Sequence, residues 1–220
     1  MTGSHPPAII CIGRNYAEHA DELSQARPDR PMVFYKNPGS VIGDGEAIVI
    51  PDQCGSPELG VDYEGELGLV IGRECRDVSE ADALSVISHY CVANDVSHRW
   101  WQWEGSGGQY SRGKSFDTFC PLGEFRSAGD VGNPSDLHIR TMLNGKVVQD
   151  SSTSRMLFSV PVLIAELSRA TTLLAGTVIL TGTPAGVGAG QEPPRFLKAG
   201  DELIIEIERV GTLRNHVIEA

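Results

Sequence analysis

The sequence predicts an α+β fold dominated by mixed β-sheet. Three observations carry that expectation. Short apolar runs recur along the 220 residues, bounded by turn residues drawn from 25 Gly and 13 Pro. An Asn144-Gly145 pair joins two such runs, the strongest short signal for a hairpin. Only three segments have a helical pattern, so strands outnumber helices.

The elements follow in order. Residues 8–12 form a strand stopped by Gly13, and 17–23 a short helix after Asn15. Pro28 and Pro31 break the chain before a strand at 32–36, and Asn37-Pro38-Gly39 signals a turn. Residues 47–50 form a strand ended by Pro51, and 51–60 a loop. Residues 62–71 read as one strand that becomes fully apolar at Leu69-Val70-Ile71 and ends at Gly72. Residues 79–86 read as a helix, with Ser79 as N-cap and acids in its first turn. An apolar run at 90–93 leads to Asp95. Residues 100–115 are Gly-rich, aromatic and irregular, as in functional or mobile loops. Residues 137–143 and 146–149 are the arms of the hairpin. Pro161 lies early in a helix over 159–169, where Val160, Leu163, Ile164 and Leu167 form a core stripe. Residues 177–180 and 202–207 are buried strands. No repeat or linker divides the chain, so 1–220 reads as one domain with 1–7 as a disordered lead.

Charge and cysteine content narrow the function. Eighteen basic and 29 acidic residues give a net charge of −11. That balance argues against nucleic acid or an anionic membrane as the partner. No run approaches the ~20 apolar residues that span a bilayer, and the first residues lack an apolar signal segment. The five cysteines (Cys11, Cys54, Cys75, Cys91, Cys120) are odd in number and lack Cys-x-x-Cys spacing. Reduced thiols in a cytoplasmic protein are the expectation.

Candidate chemistry starts with carboxylates. Asp62, Glu64 and Glu66 alternate along one strand and so point the same way. Like charges on one face repel unless water or a cation neutralises them. Asp95 ends a second run and can enter the same site. Carboxylate-only ligation favours Mg²⁺, Mn²⁺ or Ca²⁺ over Zn²⁺; a solvated acidic face also fits the pattern. His19 and Glu22 share a helix face, an arrangement that orients an imidazole as a general base. Arg14 follows Gly13 at a strand end, where its fork suits a substrate carboxylate. Lys114, after Gly113, can stabilise an oxyanion. Lys36 reads as a strand-end surface lysine, and Trp100, Trp101 and Trp103 as a core cluster under the loop. The segment Thr181-Gly182-Thr183-Pro184-Ala185-Gly186-Val187-Gly188 exposes backbone N–H groups that can bind a carboxylate or phosphate, or is a structural turn. It is neither a Walker A loop nor a Gly-x-Gly-x-x-Gly fingerprint, and no His-x-x-x-His zinc spacing occurs.

Taken together, these segments resemble the fumarylacetoacetate hydrolase family, particularly its short bacterial members and acylpyruvase-like branch. The resemblance runs from Ile9 to Asn215. It comprises Gly13-Arg14-Asn15-Tyr16 with His19 and Glu22, Asp62-Tyr63-Glu64-Gly65-Glu66-Leu67, Asn94-Asp95-Val96-Ser97, Arg112-Gly113-Lys114-Ser115-Phe116-Asp117, Asn144-Gly145, Thr181-Gly182-Thr183-Pro184 and Gly211-Thr212-Leu213-Arg214-Asn215. It implies a mixed β-roll with few short helices, and a homodimer. It implies Mg²⁺ or Mn²⁺ on Glu64, Glu66 and Asp95, and a lid bearing His19 and Glu22. It places Lys114 at the reacting carbonyl and Thr183 at the substrate carboxylate. Trp100 stands where the family usually has an acid after Arg99, and His98 is larger than the usual residue. The implied reaction is hydrolytic cleavage of a carbon–carbon bond in a 2,4-dioxo acid of the acylpyruvate or fumarylpyruvate type, releasing pyruvate. Decarboxylation of an oxaloacetate-type acid or isomerisation of an unsaturated 2-hydroxy diacid would use the same site. A non-catalytic metal-dependent binding protein is the alternative of another class.

Overall fold

The computed structural model describes residues 5–52 and 59–220. Its strands are β1 Ile9–Gly13, β2 Met32–Lys36, β3 Val41–Ile42, β4 Ala47–Ile50, β5 Val61–Asp62, β6 Gly65–Ile71, β7 Ile87–Asn94 and β8 Ser97–His98. They continue with β9 Cys120–Pro121, β10 Arg126–Ser127, β11 His138–Leu143, β12 Lys146–Ser152, β13 Val178–Leu180, β14 Glu202–Ile207 and β15 Gly211–Glu219. The helices are short: α1 Ala17–Glu22, α2 Arg99–Trp103, α3 Tyr110–Gly113, α4 Ala128–Val131 and α5 Val160–Ser168.

Two sheets carry the fold. One has the order β10-β7-β6-β13-β1-β2, the other β12-β11-β14-β15-β4. Both are mixed: β1 runs parallel to β13 and β15 parallel to β4, while the remaining ladders are antiparallel. This is the expected α+β architecture. Alternation along β6 sends Leu67, Leu69 and Ile71 into a core shared with Ile139, Ile205 and Leu213 of the second sheet. The α5 stripe Val160, Leu163, Ile164 and Leu167 joins that core, as its spacing predicts. Each such side chain contributes about 1.5–3 kcal/mol on burial. The opposite face of the first sheet bears Ile9, Cys11, Phe34, Val70, Cys91 and Leu180, clustered with Cys120. That face carries the candidate site.

Several expectations are corrected. Residues 62–71 are not one strand: the pattern breaks at Tyr63-Glu64 between β5 and β6. The helix expected over 79–86 is a turn followed by a 3-10 helix, Ala83–Val86. Its N-terminal signal is used locally, with Ser79 Oγ donating to Asp82. The irregular segment 100–115 contains most of α2 and all of α3. The three tryptophans are half-buried rather than core: Trp100 and Trp101 pack edge-to-face, and Arg112 stacks over Trp101 and Phe116. Strand β15 goes beyond the expectation for the C-terminal segment. Cys54 and much of the 51–60 loop lie outside the described residues, as do residues 1–4 of the expected lead. The other four cysteines are free and buried. Among the described residues, no helix is long and apolar enough to cross a membrane.

Candidate active site

Glu64, Glu66 and Asp95 come together where two antiparallel strands end side by side. The β6–β7 ladder pairs Gly65 with Asn94 and Glu66 with Ala93. It is extended by the Asp95 N–H, which donates to the Glu64 carbonyl at 2.8 Å. Asn94 Oδ1 accepts the Glu64 N–H at 2.9 Å. Alternation then turns Glu66 and Asp95 to the face away from the main core. The three buried residues each offer a carboxylate oxygen, all within 4.8 Å of one another.

Buried cations surround them. Lys114 Nζ lies 2.7 Å from Glu64 Oε2 and 2.7 Å from Asp95 Oδ2. Lys36 Nζ lies 2.6 Å from Asp95 Oδ1 and donates to the Val96 carbonyl at 3.1 Å. Arg99 reaches Glu64 Oε1 at 2.7 Å and Asp62 Oδ2 at 2.8 Å. Asp62 does not join the triad: it also accepts the N–H groups of Tyr63, Gly188 and Ala189. Four buried carboxylates (Asp62, Glu64, Glu66, Asp95) thus meet three buried cations (Lys36, Lys114, Arg99), leaving one negative charge in excess.

Glu66 carries that excess. Among the described residues it touches no cation, and its Oε2 accepts the Gly182 N–H at 2.7 Å. Burial pushes its pKa well up, and the charges of Asp95 and Glu64 push the same way. Burial would raise Glu64 too, but Lys114 and then Arg99 outweigh it and hold Glu64 at about 2. Burial disfavours the Lys114 ammonium, yet Asp95 and Glu64 outweigh it and raise its pKa. An all-oxygen donor set with one uncompensated charge fits a hard divalent cation such as Mg²⁺ or Mn²⁺.

His19 and Glu22 meet on α1, as their spacing predicts. His19 Nδ1 and Glu22 Oε1 are 2.7 Å apart, and Glu22 Oε2 accepts the Gly186 N–H at 2.8 Å. His19 lines a cavity with Arg14, Glu64, Gln102, Tyr110, Lys114 and Thr183. The cavity measures about 20 Å³. That volume holds about one water. Arg14 has a left-handed backbone (φ 54°), donates to the Ala26 carbonyl at 3.1 Å, and buries its Nε without a partner. Thr183 Oγ1 donates to the Gly65 carbonyl at 3.0 Å, so its hydroxyl proton is already engaged. A larger open groove beside Arg126, His138 and Arg209 shares no residue with this cavity, and its mixed charges converge on nothing.

Sequence reasoning missed Lys36, Arg99 and Gln102. For Lys36 the signal was present: it alternates with buried Phe34 on β2, so it faces inward and is not a surface lysine. His98 and Trp100 do not line the cavity. His98 is buried against Phe116, its ring nitrogens have no partner among the described residues, and burial, then Arg112, lowers its pKa.

Residues 8–218 match the family model described as fumarylacetoacetate (FAA) hydrolase C-terminal. The chain belongs to the fumarylacetoacetate hydrolase family. It is 44% identical over 216 residues to oxaloacetate tautomerase fahd2, mitochondrial, of Xenopus laevis, a match covering 98% of this chain and 66% of that protein. The chain thus spans about two thirds of the length of such relatives. A 5-carboxymethyl-2-hydroxymuconate delta-isomerase from Mycobacterium smegmatis superposes with TM-score 0.84 and 40% identity, over 98% of this chain and 80% of that one. The fumarylacetoacetate hydrolase of psychrophilic Exiguobacterium antarcticum superposes with TM-score 0.87 and 37% identity, over 100% and 80%. The two solved structures share the mixed-sheet fold, and the three relatives are named as a tautomerase, an isomerase and a hydrolase. The family is therefore one of enzymes, and its fold does not select the reaction.

Proposed function

We propose that this chain is a divalent-cation-dependent enzyme that enolises a small 2-oxo acid, interconverting keto and enol forms of oxaloacetate or a close relative. One observation carries the reading: the His19–Glu22 dyad and Lys114 share one cavity with the carboxylate Glu64. Glu64, Glu66 and Asp95 would hold Mg²⁺ or Mn²⁺, which when bound supplies Lewis-acid polarisation of the 2-oxo group. Glu22 accepts the Nδ1 proton of His19, which leaves Nε2 as a free base. Nε2 takes a proton from C3 of the substrate and delivers it to the 2-oxo oxygen, or the reverse. Lys114 Nζ donates to the oxygen where negative charge develops. Arg14 and the backbone around Thr183 bind substrate carboxylates. The 44% identity to a tautomerase supports this choice. By family resemblance, the whole chain would act as one catalytic domain in a homodimer.

Hydrolysis of an acylpyruvate is the second reading, favoured by the same dyad, which can aim a water at C4. Assays with Mg²⁺, Mn²⁺ or EDTA separate the outcomes. Enol absorbance is followed on oxaloacetate, and pyruvate release on oxaloacetate, acetylpyruvate and fumarylpyruvate. Metal-dependent loss of enol without pyruvate is expected, and His19→Ala should slow it by about 10²–10⁴-fold. Pyruvate from a dioxo acid would make the protein a hydrolase, and pyruvate from oxaloacetate alone a decarboxylase. Cation binding with no turnover would leave a binding protein.

A further inference from the structure

We infer that Gln149, which belongs to the second sheet, is a positioning residue for the carboxylate triad and acts by clamping the Gly65 peptide between Glu64 and Glu66. The inference rests on reading Glu64, Glu66 and Asp95 as the cation ligands.

Strand β13 pairs with β6 only from Gly68 to Val70. At Gly65 the edge facing β13 has therefore run out of ladder, and a buried N–H and C=O need partners. Side chains supply them. The Gly65 N–H donates to Gln149 Oε1 at 3.0 Å. Gln149 Nε2 donates to Thr183 Oγ1 at 2.8 Å, and Thr183 Oγ1 donates back to the Gly65 carbonyl at 3.0 Å. These three bonds close a ring around one residue. The second Nε2 hydrogen goes to the Pro184 carbonyl at 2.8 Å. Only one amide orientation satisfies this set, because a flipped amide would face two acceptors with its oxygen. Gln149 is 1% exposed, so water cannot replace a lost bond cheaply.

Gly65 is also where the second sheet presses on the site. A Cβ there would overlap Thr141 Oγ1 and lie 3.2 Å from Gln149 Oε1. Glu64 and Glu66 leave opposite ends of the clamped residue, so the ring fixes the spacing of two carboxylates. Outer partners of this kind set ligand geometry without touching the cation.

The test is Mn²⁺ affinity, measured by titration calorimetry on the full chain. The proteins are wild type, Gln149→Met, Thr183→Val, the double variant and Thr183→Ser, each checked by circular dichroism. Both single variants should bind about 10–100-fold more weakly. The double variant should lose no more than the worse single, because a ring opened once is already open. Thr183→Ser keeps the hydroxyl and should bind like wild type. A purely structural role would lower melting temperature and leave the affinity of the folded protein unchanged. Should Gln149→Met not fold, Gln149→Glu keeps the Gly65 acceptor, loses both donated bonds and takes its place. Unchanged affinity in a folded Gln149 variant, or additive losses, overturns the inference. A wild type that takes up no Mn²⁺ overturns the ligand reading and this inference with it. Turnover is not measured, so failure of the enolisation proposal leaves the result standing.

Discussion

Replacing Arg99 by Met should be the most informative single perturbation of stability. The guanidinium is buried and bridges two carboxylates, with Nε 2.9 Å and Nη2 2.8 Å from Asp62 Oδ2, and Nη1 2.7 Å from Glu64 Oε1. Removing one partner of a buried ion pair costs about 3–5 kcal/mol. The lower end applies here. Asp62 keeps three backbone N–H donors, and Glu64 keeps Lys114. A loss of about 3 kcal/mol in a chain of this size lowers the melting temperature by about 6–12 °C. The pH dependence adds a second readout. Burial opposes ionisation of Glu64, but Lys114 and Arg99 bring it to about 2 from 4.5. A group with a depressed folded pKa stabilises the fold above its unfolded value, and that stability is lost as pH falls from 4.5 toward about 2. The shift corresponds to about 3 kcal/mol, and Arg99 supplies part of it. Arg99→Met should therefore melt lower at pH 7 and lose less on acidification than wild type. Calorimetry with EDTA present, at several pH values, reads both effects. A drop under 2 °C with an unchanged acid profile would sink the claim that Arg99 neutralises these carboxylates.

Two further outcomes follow from the same geometry. Glu66→Gln should raise the melting temperature in EDTA and abolish the stabilisation by Mn²⁺. Because the folded pKa of Glu66 is raised, its ionisation weakens the metal-free fold progressively as pH rises above the unfolded value. The gain from Glu66→Gln should thus be larger at pH 8 than at pH 5, and an equal gain at both would count against the excess charge on Glu66. Gly186→Ala should cost about 1–3 kcal/mol, since Gly186 has φ 107° and a Cβ would overlap the Val148 carbonyl. Its N–H also holds Glu22, so hydrogen exchange over α1 should accelerate in this variant; unaltered exchange would show that this contact does not fasten the helix.

Local periodicity made much of the fold legible. The α5 stripe, the Asn144-Gly145 hairpin and the alternation in 202–207 each depend on neighbours within a few residues. Strand β15 was harder to see, because buried Asn215 interrupts its apolar alternation. Its side chain is instead satisfied by the Gly43 and Glu46 carbonyls, about 170 positions away in sequence. Helices α2 and α3 were hidden by Gly105, Gly107 and Gly108, which lie between them. Asp62 does not share the face of Glu64 and Glu66, for a physical reason. Alternation holds only while the chain stays a strand, and the break at Tyr63-Glu64 turns Asp62 toward Arg99 and the Gly188 turn.

The acidic face itself was legible, and so was its need for neutralisation. What alternation cannot give is which cations answer it, because Lys36 meets Asp95 across 59 positions of sequence and Lys114 meets Glu64 across 50. Those pairings change the meaning of the motif. Three carboxylates read alone demand a cation to offset most of their charge. Asp62 makes a fourth buried carboxylate, so with Lys36, Lys114 and Arg99 in place one uncompensated charge remains, on Glu66. A divalent ion would turn that excess of one negative charge into an excess of one positive charge. A centre left net positive attracts a substrate that arrives as an anion and passes through a more anionic state. A 2-oxo acid on its way to an enolate meets both conditions, and a neutral substrate fails the first.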